Sequence, residues 1–217
     1  SIAEQTPTPQ ETATPAPKPE PTSLTEDLNA LSPQAREIAD LGTKLYNDKR
    51  FFDAVIIFRR ALKVAPDNLF VIAHVAIAKI QVGKITDARV GLEKVLLKKP
   101  KDLLVLTNLA IVYSRLKAYD KAIATLKQIL EIDPQNAIAH HDMGVVLGKT
   151  GELKESEQYL LRSIALDPNY AKAHLNLASM YLQQTPPALD LARASYEKAK
   201  SLGCAADSKI ESRLHSP

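Results

Sequence analysis

The sequence predicts an all-α chain, a solenoid of stacked helical hairpins, and three observations carry that prediction. Prolines recur at Pro66, Pro100, Pro134 and Pro168, each 34 residues after the last, and a fixed period of that length marks an array of helix–turn–helix units. Small residues keep step with them. Ala54, Ala88, Ala122 and Ser156 lie twelve positions before each proline, and Gly42, Ala76, Ala110 and Gly144 lie further back, each directly after an apolar residue. Bulky residues, Phe58, Leu92, Leu126 and Leu160, lie eight positions before. Small residues in step with bulky ones let two antiparallel helices approach closely and interdigitate. The prolines end each second helix, because proline lacks the N–H and clashes with the preceding turn.

Composition agrees. At 217 residues the chain holds one ordinary domain or two small ones, with no Trp and 5% aromatics, which suits a helical array better than a sandwich or barrel. The net charge of +3 hides a split: residues 1–31 carry −4 and the remainder +7. That excess favours an acidic partner but is far below the charge of a nucleic-acid module, so no nucleic acid is expected. Cys204 is the only cysteine, which excludes a disulfide framework or a cysteine metal site. No apolar run approaches ~18 residues, so no membrane span is expected in the chain. It opens on Ser1 rather than Met, so the expectation is a mature form or an excised piece, from which any signal peptide or anchor would be missing.

Residues 1–22 are rich in Thr, Pro, Ala and Glu, with prolines at 7, 9, 15, 17, 19 and 21. Such a segment buries too little apolar surface to offset the entropy of ordering, and its prolines favour an extended, semi-stiff tether. The expectation is a disordered tail or linker over 1–31, at whose end Leu24, Leu28 and Leu31 can make a short helical turn leading into the fold. Ser32 and Pro33 then mark a helix start, a Ser cap followed by Pro at the first helical position. Ile38, Leu41 and Leu45 recur at helical spacing, and after a turn near residues 47–49 a second helix runs from about Phe52 to Val64. Asp67 is the expected cap of the next helix, about 68–82, which Gly83 breaks; Thr86 is expected to open its partner, to about Lys98. The third pair spans about 102–116 and 119–132, and the fourth about 136–149 and 153–166, with Gly151 in its turn.

The fifth unit departs from the period. Leu177, Ala178 and Tyr181 match Leu109, Ala110 and Tyr113 at a shift of 68, two periods, whereas Ala192, Tyr196 and Ala199 match Ala122, Leu126 and Ile129 at 70. Two inserted residues are expected in the turn 183–187. Gly203 replaces the closing proline, and a short polar helix from about 207 to 214 follows. Terminal units of solenoids are atypical because their outer face meets water. The division is therefore 1–31 tail, 32–204 five repeats (about 35–68, 69–102, 103–136, 137–170 and 171–204), and 205–217 capping helix and tail.

The period, the columns and the closing Asp133-Pro134 and Asp167-Pro168 resemble the tetratricopeptide repeat over about residues 33–204. The departures are Ile38, Ile72, Leu106, His140 and His174 in place of the family's aromatic in the first helix. Val95 and Ile129 replace its small residue near the end of the second, where looser or shifted packing is expected. The resemblance implies a right-handed superhelix whose first helices line a concave groove that binds peptides or partner domains. The last unit, with Pro186-Pro187-Ala188 and Ala192-Arg193, is similar to repeat proteins of bacterial cell envelopes, which implies an envelope or periplasmic compartment over the cytoplasm.

No catalytic constellation or phosphate loop appears, so no enzymatic activity and no cofactor are expected. His140, His141, Asp142 and His174 lie one period or less apart, but no third ligand is placed, and no metal site is expected. Lys98, Lys99 and Lys101 are explained by a helix C-terminus, where the dipole favours cations. By the resemblance, the groove positions are Arg36, Ala39, Thr43 and Tyr46 in the first unit, then Phe70, Ala73, Ile77 and Ile80. The third unit supplies Leu104, Thr107, Ile111 and Ser114, and the fourth Ile138, His141, Val145 and Gly148. The fifth supplies Lys172, Leu175, Ser179 and Leu182. The family's chaperone-binding members hold a terminal carboxylate with Lys, Asn and Arg at such places. Here they are mostly apolar, with Ile77, Ile111 and Val145 as a stripe, which favours a partner helix or hydrophobic segment.

Three functions follow as expectations: a protein–protein interaction scaffold with an apolar groove, a self-assembling module that docks into a neighbouring copy, or the accessory repeat region of a larger enzyme. Removing residues 1–22 takes away no periodic apolar residue, so the thermal midpoint is expected to shift by no more than a fraction of a kcal/mol allows. A large loss would show the tail packed into the fold.

Overall fold

The computed structural model describes residues 24–214, and the tail expected over residues 1–23 lies outside them. The described residues form twelve helices. α1 (Leu24–Asn29) precedes five hairpins: α2 (Pro33–Asn47) with α3 (Phe51–Val64), α4 (Leu69–Gln81) with α5 (Ile85–Leu96), α6 (Leu103–Arg115) with α7 (Tyr119–Ile132), α8 (Ala137–Thr150) with α9 (Leu153–Leu166), and α10 (Ala171–Gln183) with α11 (Leu189–Ser201). α12 (Ser208–Leu214) closes the array. Each helix packs on its hairpin partner and on the next unit, so the contacts run along one dimension.

The periodic columns are where the hairpin helices touch. Ala54, Ala88, Ala122 and Ser156 are buried, as are Phe58, Leu92, Leu126 and Leu160. The fit is tight enough to select glycine. A Cβ on Gly42 would lie 2.7 Å from the Phe58 ring, and one on Gly144 would lie 2.7 Å from Leu160 Cγ and 3.0 Å from the Ser156 carbonyl oxygen. Ser156, the one polar member of its column, donates its hydroxyl to the Gly144 carbonyl at 2.8 Å, so burial leaves no orphaned group. Val95 and Ile129 are fully buried in the column that holds Ala61, Ser163 and Ala199. A cavity of about 70 Å³ abuts Ile129.

Turn chemistry repeats with the same period. Asn68, Asp102 and Asn136 cap α4, α6 and α8 by accepting from the N–H of Val71, Val105 and Ala139 at 3.1, 3.0 and 2.9 Å. Asn68 thus replaces Asp67 as the cap. Its extended backbone (φ −71°, ψ 118°) is what a capping residue requires. Thr86 does not open α5: the helix starts at Ile85, after Lys84, with no side-chain cap. Within the hairpins the turn needs a left-handed residue at 49, 83, 117 and 151. Gly83 and Gly151 supply it freely, whereas Lys49 and Lys117 adopt φ 60° and 58° at a cost of roughly 1–2 kcal/mol each. The two inserted residues of the fifth unit fall in the turn between α10 and α11, as expected.

The ends of the array differ. At the carboxyl end α12 buries Ile210 and Leu214, and Tyr196 Oη donates to Glu211 at 3.1 Å. At the amino end Leu41 is 46% exposed, while its equivalents Val75, Leu109, Met143 and Leu177 are buried by the unit before them. α1 does not cover that edge. It packs on α4, with Leu24 only 2% exposed. The expectation of a tail through residue 31 is therefore corrected for residues 24–31: Leu24 has apolar surface to bury, so the chain is folded from there.

His74 on α4 stacks on Phe70 (centroids 3.8 Å) and donates Nδ1–H to the Phe70 carbonyl at 2.8 Å. Burial lowers its pKa, against the opposing pull of that bond and of the Asp102 charge. The unfolded chain therefore takes up this proton more readily, and the stability tied to neutral His74 is complete above pH ~6.5 and lost as pH falls below it. In the same place of the next unit Asn108 donates to the Leu104 carbonyl at 2.8 Å. His74→Asn is thus expected to keep the bond and flatten the dependence of the thermal midpoint between about pH 7.5 and 5.5; an unchanged slope would place the titration elsewhere. Ala122→Glu buries an unpaired carboxylate at the hairpin contact and is expected to cost several kcal/mol, read as a sharp drop in the helical melt. An unchanged melt would show that the column is not core.

Candidate interaction groove

The first helices of adjacent units, α2, α4, α6, α8 and α10, carry the expected groove residues, and the structure treats them unequally. Between α6 and α8 a cleft of about 210 Å³ brings Ile111, Ser114 and Val145 together with Arg115, Asp142 and Lys149. Ile111 and Val145 are half-buried and face each other across it, which leaves apolar area available to a ligand. Thr107 and Ile138 line the smaller cavity next to it, and Ile138 is 53% exposed. Phe70, Leu104, Leu175 and Ser179 are half-buried and line neither space.

Other expected groove residues are buried. Ala39 and Leu182, at the two ends of the array, are core. Ala73, Ile77 and Ile80 belong to the cluster that also contains Leu24 of α1. Ile77 is buried where Ile111 and Val145 are half-buried, so the apolar stripe through the three is interrupted at its amino end. His141 is 6% exposed and held in place. Its Nδ1–H donates to Asp142 Oδ1 at 2.8 Å, its Nε2 accepts from Asn176 Nδ2 at 2.7 Å, and Tyr170 packs edge-on at 4.9 Å. Burial, with the Asp142 and Asp167 charges, pushes the Tyr170 phenol up to about 12, so it stays neutral beside the pair.

The sequence reading missed the polar residues of the cleft. Arg115, Lys149 and Asp142 each sit one position from an expected groove residue, so the periodic template passes over them. Their contacts repeat at an interval of 35. Gln81 donates to Tyr46 Oη at 3.3 Å, Arg115 to the Ile80 carbonyl at 3.1 Å, Lys149 to Ser114 Oγ at 3.4 Å, and Asn176 to His141. Each bond ties a first helix to the one before it along the groove. The signal was present in the sequence as a polar column at 81, 115, 149 and 183, next to the apolar one.

The histidines that replace the family aromatic have a local role. His140 and His174 bond through Nε2 to the carbonyls of Pro134 and Pro168, at 3.0 and 3.1 Å, which closes the turn in front of each first helix. Among the described residues no group of three or more His, Cys, Asp or Glu is placed to hold a metal ion, and no helix is long and apolar enough to cross a membrane.

Sequence profiles of the tetratricopeptide repeat match residues 79–142 and 114–165, and a second such profile matches 141–208. No curated protein sequence matches the chain. Among solved structures, TTC0263, a thermophilic TPR protein of Thermus thermophilus, superposes with a TM-score of 0.66 at 25% identity, over 83% of this chain and 96% of its own. MamA of MSR-1 gives 0.64 at 24% identity, over 79% and 97%. MamA from Desulfovibrio magneticus RS-1 gives 0.66 at 17%, over 86% and 100%. The last two likenesses speak for the fold alone. Profiles spanning residues 79–208, the 34-residue helical hairpins and the solenoid superposition lead to one assignment: the chain belongs to the tetratricopeptide-repeat family, a right-handed α-solenoid.

Proposed function

We propose that this protein is a non-catalytic scaffold that binds a segment of a partner protein in its concave groove, at the cleft between α6 and α8. The observation that carries the reading is the composition of that cleft. Ile111 and Val145 offer apolar walls that the fold has not filled, and Arg115 and Lys149 stand at one end of it. A ligand gains by burying an apolar side chain between the walls and placing an acidic or carbonyl group near the cations. Half-buried walls also separate binding from folding, because the hairpin cores close through other residues. The partner type that fits is a helix or extended segment with an apolar anchor.

A second reading has its own observation. Leu41 leaves an apolar edge on the first unit that in every later unit is covered by the one before. A second copy, docked on this edge, would cover it, and sedimentation at several concentrations separates this from binding by a monomer.

Ile111→Glu tests the groove. It is expected to lower stability by about 1 kcal/mol, as at a half-exposed site. It should abolish binding of the partner recovered by affinity capture, because a desolvated charge would face the anchor, costing roughly 2–4 kcal/mol. Unfolding on the scale of Ala122→Glu would make Ile111 core, and intact binding would move the partner to another surface.

A further inference from the structure

α1 lies beside the first helices, with polar contacts to Arg36 of α2 and to Asn68 at the start of α4. It packs on α4, a first helix, with no comparable contact to α3 or α5, the second helices on either side. Leu24 shares a cluster with Ala73 and Ile77, two groove positions. Around that leucine the contacts are polar and peripheral. Lys99 Nζ lies 3.4 Å from Glu26 and 3.6 Å from Asp27, and Asn68 Nδ2 donates to the Asp27 carbonyl at 2.6 Å. Arg36 Nη1 donates to the Leu28 carbonyl and to Asn29 Oδ1 at 3.3 and 3.2 Å.

Such a hold is specific but weak. A six-residue helix does not persist alone in water, and the ion pair with the exposed Glu26 carboxylate contributes little, which leaves Asp27 as the one largely buried carboxylate of the contact. One leucine and a few surface bonds place α1 at the low end of local stability, so it opens while the hairpins stay folded. What it uncovers is the part of α4 on which Leu24 is buried, with the Lys99 ammonium and the Asn68 amide beside it.

We propose that α1 is a built-in occupant of the amino half of the groove, and that the surface beneath it binds, in trans, a short acidic helix of the same chemistry. That chemistry is a leucine followed two and three positions later by carboxylates, as in Leu24, Glu26 and Asp27. The proposal rests on the groove reading above and extends it. The site between α6 and α8 is open in the resting protein, whereas the patch on α4 opens only when α1 leaves, so a partner helix competes with the chain's own.

The test uses the full chain and a fluorescein-labelled peptide of residues 22–31 as the probe. In Leu24→Glu the cis helix no longer competes, and the peptide is expected to bind roughly tenfold or more tightly than to the wild type, because the competent fraction rises. Adding Lys99→Glu to that variant should remove the gain, and a peptide carrying Leu24→Glu should not bind. Equal affinity for wild type and Leu24→Glu, or no binding by a folded Leu24→Glu, overturns the proposal. Hydrogen exchange on the wild type decides it even if that variant fails to fold. The α1 amides should exchange well ahead of those of α4, and exchange only with global unfolding would make α1 a fixed brace. A peptide that fails while Ile111→Glu still abolishes partner capture would sink this proposal and leave the groove reading standing.

Discussion

The structure depends on one contact repeated along the chain: a bulky side chain of each second helix set against a small residue of the first. Phe58 fits because Gly42 has no Cβ, and Leu160 because Gly144 has none. In the second and third units the same places hold Ala76 with Leu92 and Ala110 with Leu126, all of them buried. Helix separation is set by this pairing, and with it the pitch at which successive units stack. Protein interiors are packed too densely to absorb a misfit of even one methylene without cost. The columns therefore constrain the sequence far more than the faces between them do, which is why they stand out from a single chain.

On that frame the concave side is free to vary, and it varies along the array. At α4 the groove residues Ala73, Ile77 and Ile80 are buried, and α1 packs on the same helix. Between α6 and α8 it opens into a cleft with apolar walls and cations at one end. At the fourth and fifth units His141, Asn176 and Tyr170 lock the helices together through a polar network. The bonds at an interval of 35 explain how a groove that is partly open still holds its helices at fixed spacing. Polar side chains at its rim tie neighbouring units, so the apolar residues at its centre need not. On the proposed reading a ligand would meet a preformed surface, which limits the entropy lost on binding.

Much of the fold was legible in the sequence because it is written in a period. The five hairpins, the site of the two-residue insertion, the closing short helix and the Ser32 cap all came from spacing and turn chemistry, and all are present. The misses share a cause: they depend on which residue adopts one backbone conformation or which segment covers a surface. Lys49 and Lys117 occupy a left-handed turn position that Gly83 and Gly151 advertise and lysine does not. Asn68, not Asp67, caps α4: its backbone is extended and its side chain accepts from the Val71 N–H. Ile77 was expected on an open stripe; no periodic rule foresees that Leu24, 53 positions earlier, packs into the same cluster. The cleft itself was half legible: its apolar walls follow the template, and Arg115, Asp142 and Lys149 lie one residue off it.

The central claim is that partners enter from the concave side between α6 and α8. The most direct measurement is photocrosslinking, with p-benzoylphenylalanine placed in turn at position 145 in the cleft and at position 97, the exposed Leu97 at the end of α5, which does not line the cleft. The account predicts a covalent adduct with the partner from position 145 and none from position 97. Crosslinking from position 97 alone would contradict it and put the binding surface outside the cleft.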